Sequence, residues 1–272
     1  MRWSFVVGCA GVLLSGAASA ATLHVHDSGG TLATVDSSTG AVNVIGDMGV
    51  TLTDIAFDPT GKLFGLSFGA LYEVDAQTAE TTLIGSHGVP GGNALVFGGD
   101  GTLYAAGFSG SGLFTLDPGS GATTSLGSTG FASGGDLAFV GVEFYLASSG
   151  GELVRLDLGD LSQSAAVGDF GVANVFGIAT SAEGQLFGVG GTSIFSVDLA
   201  TGAALDPVSF AGQGLGQAFG QSFFTEAGAP APETPVDPEP EMPPIPLPAS
   251  AWLLGAALLG LGGAGARRRR RG

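Results

Sequence analysis

Apolar positions along the interior of this chain recur in short clusters bounded by turn residues, without the three-and-four spacing of a helix. Five segments, LATVD (32–36), LYEVD (71–75), LFTLD (113–117), LVRLD (153–157) and IFSVD (194–198), share the order aliphatic, two variable residues, aliphatic, aspartate. Their aspartates, Asp36, Asp75, Asp117, Asp157 and Asp198, stand 39, 42, 40 and 41 residues apart. Glycine follows three of them four places on, at Gly40, Gly121 and Gly202, while Ala79 and Leu161 depart from the pattern. The next strand then ends at Gly46, Gly85, Gly127 and Gly168. A second column runs through Phe57, Phe97, Phe139, Thr180 and Phe219, with partner strands at LFGL (63–66), LYAA (103–106), FYLA (144–147) and LFGV (186–189). Turns such as Asp58-Pro59-Thr60-Gly61 and Asp100-Gly101 join them as hairpins. Each unit is four short strands without a helix, and units of about 40 residues built that way are propeller blades.

The two columns are offset, and the offset predicts how the ring closes. The first aspartate strand has no phenylalanine strand before it, and the last phenylalanine strand has no aspartate strand after it. Joining the two incomplete ends gives a fifth, composite blade and leaves no long free edge at the closure. Both LHVH (23–26) and SFFTEA (222–227) can serve as its second strand. Apolar residues on both faces, as in Leu103-Tyr104 and Leu113-Phe114, suit sheets buried between neighbours. The expected fold is therefore all-β, a five-bladed β-propeller with four-stranded blades over residues 21–228, with an open β-solenoid as the alternative. Beyond its period the interior resembles propellers of bacterial secreted proteins only loosely, with no WD dipeptide and no family-defining catalytic motif.

Charge and cysteine narrow the function. The chain has 24 acidic and 8 basic residues, and between Ala21 and Pro248 only Lys62 and Arg155 are basic. Such a surface repels phosphate backbones, which argues against nucleic acid as a partner. It suits a solvated extracellular coat, and also one that gathers divalent cations. The one cysteine, Cys9, lies in the leader, so the interior has no disulfide, thiolate metal site or cysteine nucleophile.

Both ends read as addresses. Residues 1–20 carry Arg2, an apolar core from Phe5 to Leu14 and the small residues Ala18-Ser19-Ala20, a secretory signal with cleavage expected before Ala21. Residues 229–248 hold nine of the 13 prolines, interleaved with Glu233, Asp237, Glu239 and Glu241. This is an extended spacer of about 60 Å at polyproline rise. In the last segment, 249–272, an apolar run from Ala249 to Ala266 meets Arg267, Arg268, Arg269, Arg270 and Arg271. As a helix that run reaches about 27 Å, just enough to enter a hydrocarbon core of about 30 Å, with the arginines on the cytoplasmic side.

The tail as a whole resembles the PEP-CTERM class of sorting signals. Ile245, Pro246, Leu247, Pro248 and Ala249 are similar to its VPLPA variant, with isoleucine in place of the usual valine, and Pro238-Glu239-Pro240 is a looser second match. The resemblance covers about the last 27 residues. It implies recognition by an exosortase in the membrane, removal of the tail, and delivery to the cell surface or exopolysaccharide matrix.

Candidate chemistry in the interior is sparse. The five repeated aspartates read as turn residues that accept hydrogen bonds from their own backbone, in preference to metal ligands. His24 and His26 alternate on one strand and share a face, a spacing compatible with a metal, but His87 is the only other histidine and a closure-strand role fits better. Loops before each phenylalanine strand gather at one mouth of the channel and carry Asp47, Asp54, His87, Asn93, Asp136, Asp169 and Asn174. Of these, Asp54, Asp136 and Asn93 are the candidate ligands for Ca²⁺ or for sugar hydroxyls. In that register Asp54 and Asp136 match Ala94, Gly177 and Gly216, so the ring of carboxylates is incomplete. No EF-hand loop, P-loop, HExxH or G-x-S-x-G is present. The sequence therefore favours a non-enzymatic module that binds glycan or another envelope component and needs no cofactor. The alternative is a secreted hydrolase or lyase with a metal-dependent centre in the channel.

Overall fold

Strand boundaries are set by one kind of turn, repeated. After each aliphatic-x-x-aliphatic strand an aspartate folds back on its own backbone: Asp36 Oδ1 accepts from the N–H groups of Ser38 and Thr39 at 2.9 and 2.8 Å, and Asp75 Oδ1 from Gln77 and Thr78 at 2.8 and 2.9 Å. Asp117, Asp157 and Asp198 accept from Gly119, Gly159 and Ala200 at 3.0, 2.8 and 2.7 Å. Such turns end one strand and aim the next back along it.

The computed structural model describes residues 22–228. The expected signal segment, proline spacer, sorting motif and arginine block lie outside the described residues. Among the described residues no helix is long and apolar enough to cross a membrane.

Twenty strands form five four-stranded antiparallel sheets. The first blade contains β1 (Thr22–Asp27), β2 (Thr31–Asp36) and β3 (Val42–Asp47). The second is β4 (Asp54–Phe57), β5 (Leu63–Leu66), β6 (Ala70–Val74) and β7 (Thr81–Ser86). The third is β8 (Gly92–Phe97), β9 (Leu103–Gly107), β10 (Gly112–Leu116) and β11 (Thr123–Ser128). The fourth is β12 (Ser133–Val140), β13 (Glu143–Ser148), β14 (Glu152–Leu156) and β15 (Ala165–Asp169), with one 3₁₀ turn at Leu161–Gln163 before its last strand. The fifth is β16 (Val175–Thr180), β17 (Leu186–Gly190), β18 (Ser193–Val197) and β19 (Ala204–Ser209). The last strand, β20 (Ala218–Phe223), returns to pair with β1 and becomes the inner strand of the first blade. The ring is a closed five-bladed β-propeller, and LHVH is the second strand of the composite blade.

Pairing corrects one position of the sequence pattern. Phe57, Phe97, Phe139 and Thr180 face Leu63, Leu103, Phe144 and Leu186 on the second strands. In the closing blade the residue facing Leu23 is Phe223, not Phe219. The Phe210–Gln217 connection is longer than the other loops that enter inner strands, which carries the column on to Phe223. Phe219 itself falls in a β-bulge, as Asn93 and Phe176 do in the third and fifth blades, and is unpaired with β1. Gly220, not Gly216, is then the counterpart of Asp54.

Five apolar clusters fill the five junctions between neighbouring blades. Leu32, Met48, Ile55 and Phe57 join the first blade to the second, for example, and Val25, Ala33, Ala179 and Val189 join the fifth to the first. Lys62 and Arg155 make only exposed pairs with Glu73 and Glu143 at 3.4 and 3.2 Å, which contribute little. Cohesion is packing, and the glycine column shows how tight it is. A Cβ on Gly85 would run into the backbone carbonyl of Ser120, in the aspartate turn of the next blade, and one on Gly168 into that of Thr201. Each blade thus seats its turn on a bare patch of its neighbour's outer strand.

Gly85→Ala is expected to cost about 1–3 kcal/mol, as overpacking does, whereas Gly69→Ala, whose Cβ would meet nothing within 4 Å, is expected to be nearly neutral. Equilibrium denaturation of the two variants compares them, and equal stabilities would show that the junction is not packed this closely.

Candidate functional site

The axis of the ring has a polar plug built from inner strands and an open mouth to which hairpin turns also contribute. Ile55, Leu95, Leu137 and Ile178 hold the same position in four successive inner strands. Two carboxylates take all four of their backbone N–H groups. Asp54 Oδ1 accepts from Ile55 at 2.8 Å and its Oδ2 from Leu95, one blade on, at 2.6 Å. Asp136 repeats this with Leu137 at 2.6 Å and Ile178 at 2.8 Å. Asp54 and Asp136 are 0% and 1% exposed, so they sit below the mouth as part of the channel wall instead of on its loops. The incomplete ring of carboxylates has a steric origin. A Cβ on Gly220 would meet Asp54 Oδ1 and His26 Nε2, and one on Gly177 would meet the Gln221 and Val189 side chains, so there is no room for five acidic side chains.

Burial pushes both aspartate carboxyls well above the usual carboxylate range, and the charge of Asp54 beside Asp136 pushes the latter the same way. At the far end of the axis, Glu226 Oε1 accepts from the Thr180 N–H at 3.1 Å and Oε2 from the Ser222 hydroxyl at 2.9 Å. Burial pushes its carboxyl up to about 8. His26 is 0% exposed, neither of its ring nitrogens has a partner, and burial lowers it to about 4. His24 is also lowered to about 4 by burial and packs edge-on against Phe57 at 4.9 Å. Both histidines thus enter the closing blade uncharged. Among the described residues no group of three or more histidine, cysteine or carboxylate side chains is placed to hold a metal.

Above the plug, where the inner strands begin, opens a cavity of about 380 Å³. Phe68 and Phe108, from the β5–β6 and β9–β10 hairpin turns, stand at its rim 59% and 51% exposed, with ring centroids 5.6 Å apart in an edge-to-face pair. Phe176 and Phe219 make a second such pair on the other wall, also at 5.6 Å. Between them lie the Asn93 and Asn174 amides and the hydroxyls of Ser133, Ser148 and Ser149. The Asn93 Nδ2 makes a single long contact of 3.5 Å to the Ser133 carbonyl, and its Oδ1 has no partner. Thr53 fixes the wall by donating to the carbonyls of Leu66 and Gly92, at 3.0 and 2.9 Å. No residue lining the cavity is ionisable.

Of the three candidate ligands, the structure brings Asp54 and Asp136 together in the plug and leaves Asn93 at the mouth. Asp47 and Asp169 cap turns at Gly49 and Gly171, at 2.8 and 2.6 Å, and His87 Nε2 contacts the Ser67 carbonyl at 2.9 Å. Sequence reasoning missed all four mouth phenylalanines. A usable signal existed for two of them, because Phe68 and Phe108 interrupt Ser/Gly-rich turns where nothing local asks for an aromatic ring. The opposite opening is lined by Thr225–Gly228, the last described residues, together with Asp100 and Tyr104.

No protein-family model matches the chain, and no curated protein does. Among solved structures, a chain of a nidogen/laminin complex is 11% identical, with 74% of this chain and 97% of that chain covered and a TM-score of 0.53. That likeness shows the fold. A structure described under the de novo evolutionary emergence of a symmetrical protein is 18% identical, covering 76% and 95% at a TM-score of 0.46. A calcium-binding protein, regucalcin, from Agrobacterium tumefaciens is also 18% identical, covering 70% and 74% at 0.45.

The raised carboxyls fix a sign for the pH dependence of stability. Folded Glu226 keeps its proton up to about pH 8, whereas in the unfolded chain it releases it near 4.5. At this position the folded state therefore binds more protons across that window. Burial of His24 and His26, which lowers them from 6.5 to about 4, acts the other way, so the carboxyl sets the sign only above about pH 7. Thermal midpoints measured from about pH 7 to about pH 9 should decline, with a shallower slope in Glu226→Gln. A midpoint that rises over the same range would contradict the assignment.

Proposed function

We propose that this chain is an exported protein of the cell envelope or extracellular matrix, and that its propeller is a non-enzymatic binding module that takes a glycan or another envelope component at the aromatic mouth. The observation that carries this reading is the division of the axis. Its carboxyl pair is enclosed and occupied by backbone N–H groups, while the open end is lined by aromatic rings, amides and hydroxyls, among them the Asn93 amide, whose Oδ1 has no partner. A pocket of that make-up binds without chemistry, since it offers no nucleophile, base or metal ligand set. A hydrolytic centre in the channel would need Asp54 and Asp136 to give up the hydrogen bonds that join the blades.

Delivery rests on the sequence at the two ends: the signal at residues 1–20, the proline spacer, and the PEP-CTERM-like stretch from Ile245 to Arg271. In this reading an exosortase cuts the tail after the membrane helix has held the precursor in place. The binding mouth lies at the opposite end of the axis from Gly228.

The test is retention of the full-length protein, purified in detergent, on envelope polysaccharide from the producing cells. Retention is expected for the native chain and is expected to drop in Phe68→Ala and in Phe108→Ala, both rim positions that leave the core intact. No retention, or retention indifferent to both substitutions, would overturn the reading. Intact-mass measurement of the exported product with and without an exosortase checks delivery separately, with loss of the arginine block expected only when the protease is present.

A further inference from the structure

The chemistry of the mouth narrows its ligand, given that the mouth is the binding site just proposed. The geometry points to a neutral saccharide, bound without a metal ion, with Asn93 as the residue that reads its hydroxyls. Three observations converge on this assignment.

The first is charge. Apart from Glu233, Asp237, Glu239 and Glu241, the chain's 24 carboxylates all fall within the propeller, against Lys62 and Arg155. The two bases are already paired, with Glu73 and Glu143. Yet no ionisable side chain lines the cavity. An anionic polysaccharide would approach through a repulsive field and find no cation at the end of it, and a cationic ligand would find no carboxylate.

The second is the pairing of apolar and polar groups. Pyranose rings present C–H groups on their faces and hydroxyls around their edges. Phe68 with Phe108, and Phe176 with Phe219, offer aromatic surface on two sides of the cavity. Between the pairs the Asn93 amide holds an unpartnered Oδ1 and a weakly engaged Nδ2, which together suit a hydroxyl that both donates and accepts.

The third is size and shape. At about 380 Å³ the cavity is at the small end of ordinary ligand pockets, about 300–1,000 Å³. It is a pit at the end of the axis, fit for a chain end or one or two sugar rings. An extended peptide would need a groove beside a free strand edge, and the mouth is ringed by the starts of inner strands that already pair outward.

The full-length protein in detergent, titrated by calorimetry with neutral hexose oligosaccharides, uronate-bearing oligosaccharides of equal length and an aromatic peptide, each with and without EDTA, tests the assignment. Neutral oligosaccharides are expected to bind with EDTA present, and the uronate series at least about tenfold more weakly. Phe108→Ala and Asn93→Ala are each expected to weaken neutral binding by about tenfold, with Phe108→Ala leaving the thermal midpoint unchanged. Preference for uronates, loss of binding in EDTA, or binding of the peptide alone would overturn the neutral-saccharide assignment. If those ligands still depend on Phe108, the mouth stands as a binding site. Binding of no probe, or binding indifferent to Phe108→Ala, would count against the assignment as well.

Discussion

Five inner strands cannot form hydrogen bonds with one another around a ring, so the N–H groups they turn away from their own sheets need other acceptors. Burying such a donor without a partner costs on the order of 1–3 kcal/mol. This propeller meets the demand with side chains that reach from one inner strand to the next. Asp54 joins the second blade to the third and Asp136 the fourth to the fifth. The Ser222 hydroxyl accepts from the Phe57 N–H at 3.2 Å and joins the first to the second, while Glu226 takes the Thr180 N–H and joins the fifth to the first. Only the third and fourth blades meet through the long Asn93–Ser133 contact alone. The same polar groups that a functional search singles out are thus the ones that tie the blades together.

That double duty explains why the chemistry sits where it does. An aspartate engaged by two backbone donors is held in place and shielded, which makes it a poor reagent and a good strut. In the proposed reading, binding falls to residues the ring does not need. Phe68 and Phe108 stand in hairpin turns half in water, and removing either opens no hole in the five junction clusters. The mouth can therefore vary in chemistry while the plug beneath it stays fixed.

How much of this could be read from the residues differs by level. Period, strand number and blade count were legible because each repeat carries its own turn: an aspartate that folds onto its own backbone acts within a few residues and needs no partner far away. Closure was legible in outline, since β1 and β20 are each an incomplete unit. Register at the closure was not, because a long loop before β20 carries Phe223 into the place the spacing gives to Phe219. The location of Asp54 and Asp136 was also beyond local reasoning. Whether a carboxylate at the head of a strand faces solvent or a neighbour's backbone depends on blades 41 and 42 residues away in the chain. The aromatic mouth was the least legible: Phe68 and Phe108 hold the same hairpin turn of two blades and Phe176 and Phe219 the same bulge position of two others, but only the closed ring shows that these two positions face one cavity.

The pairing of the last strand with the first has a mechanical side. In the antiparallel β1–β20 pair the first rung is Leu23 with Phe223, so both chain ends leave from the same end of the ladder. Tension applied between Thr22 and Gly228 would peel the rungs one after another, the weak direction of any zipper. A pull on Gly228 resisted by something seated in the mouth instead draws β20 along its own length and strains all its rungs at once. The ladder thus resists a load along its own length better than a pull between Thr22 and Gly228.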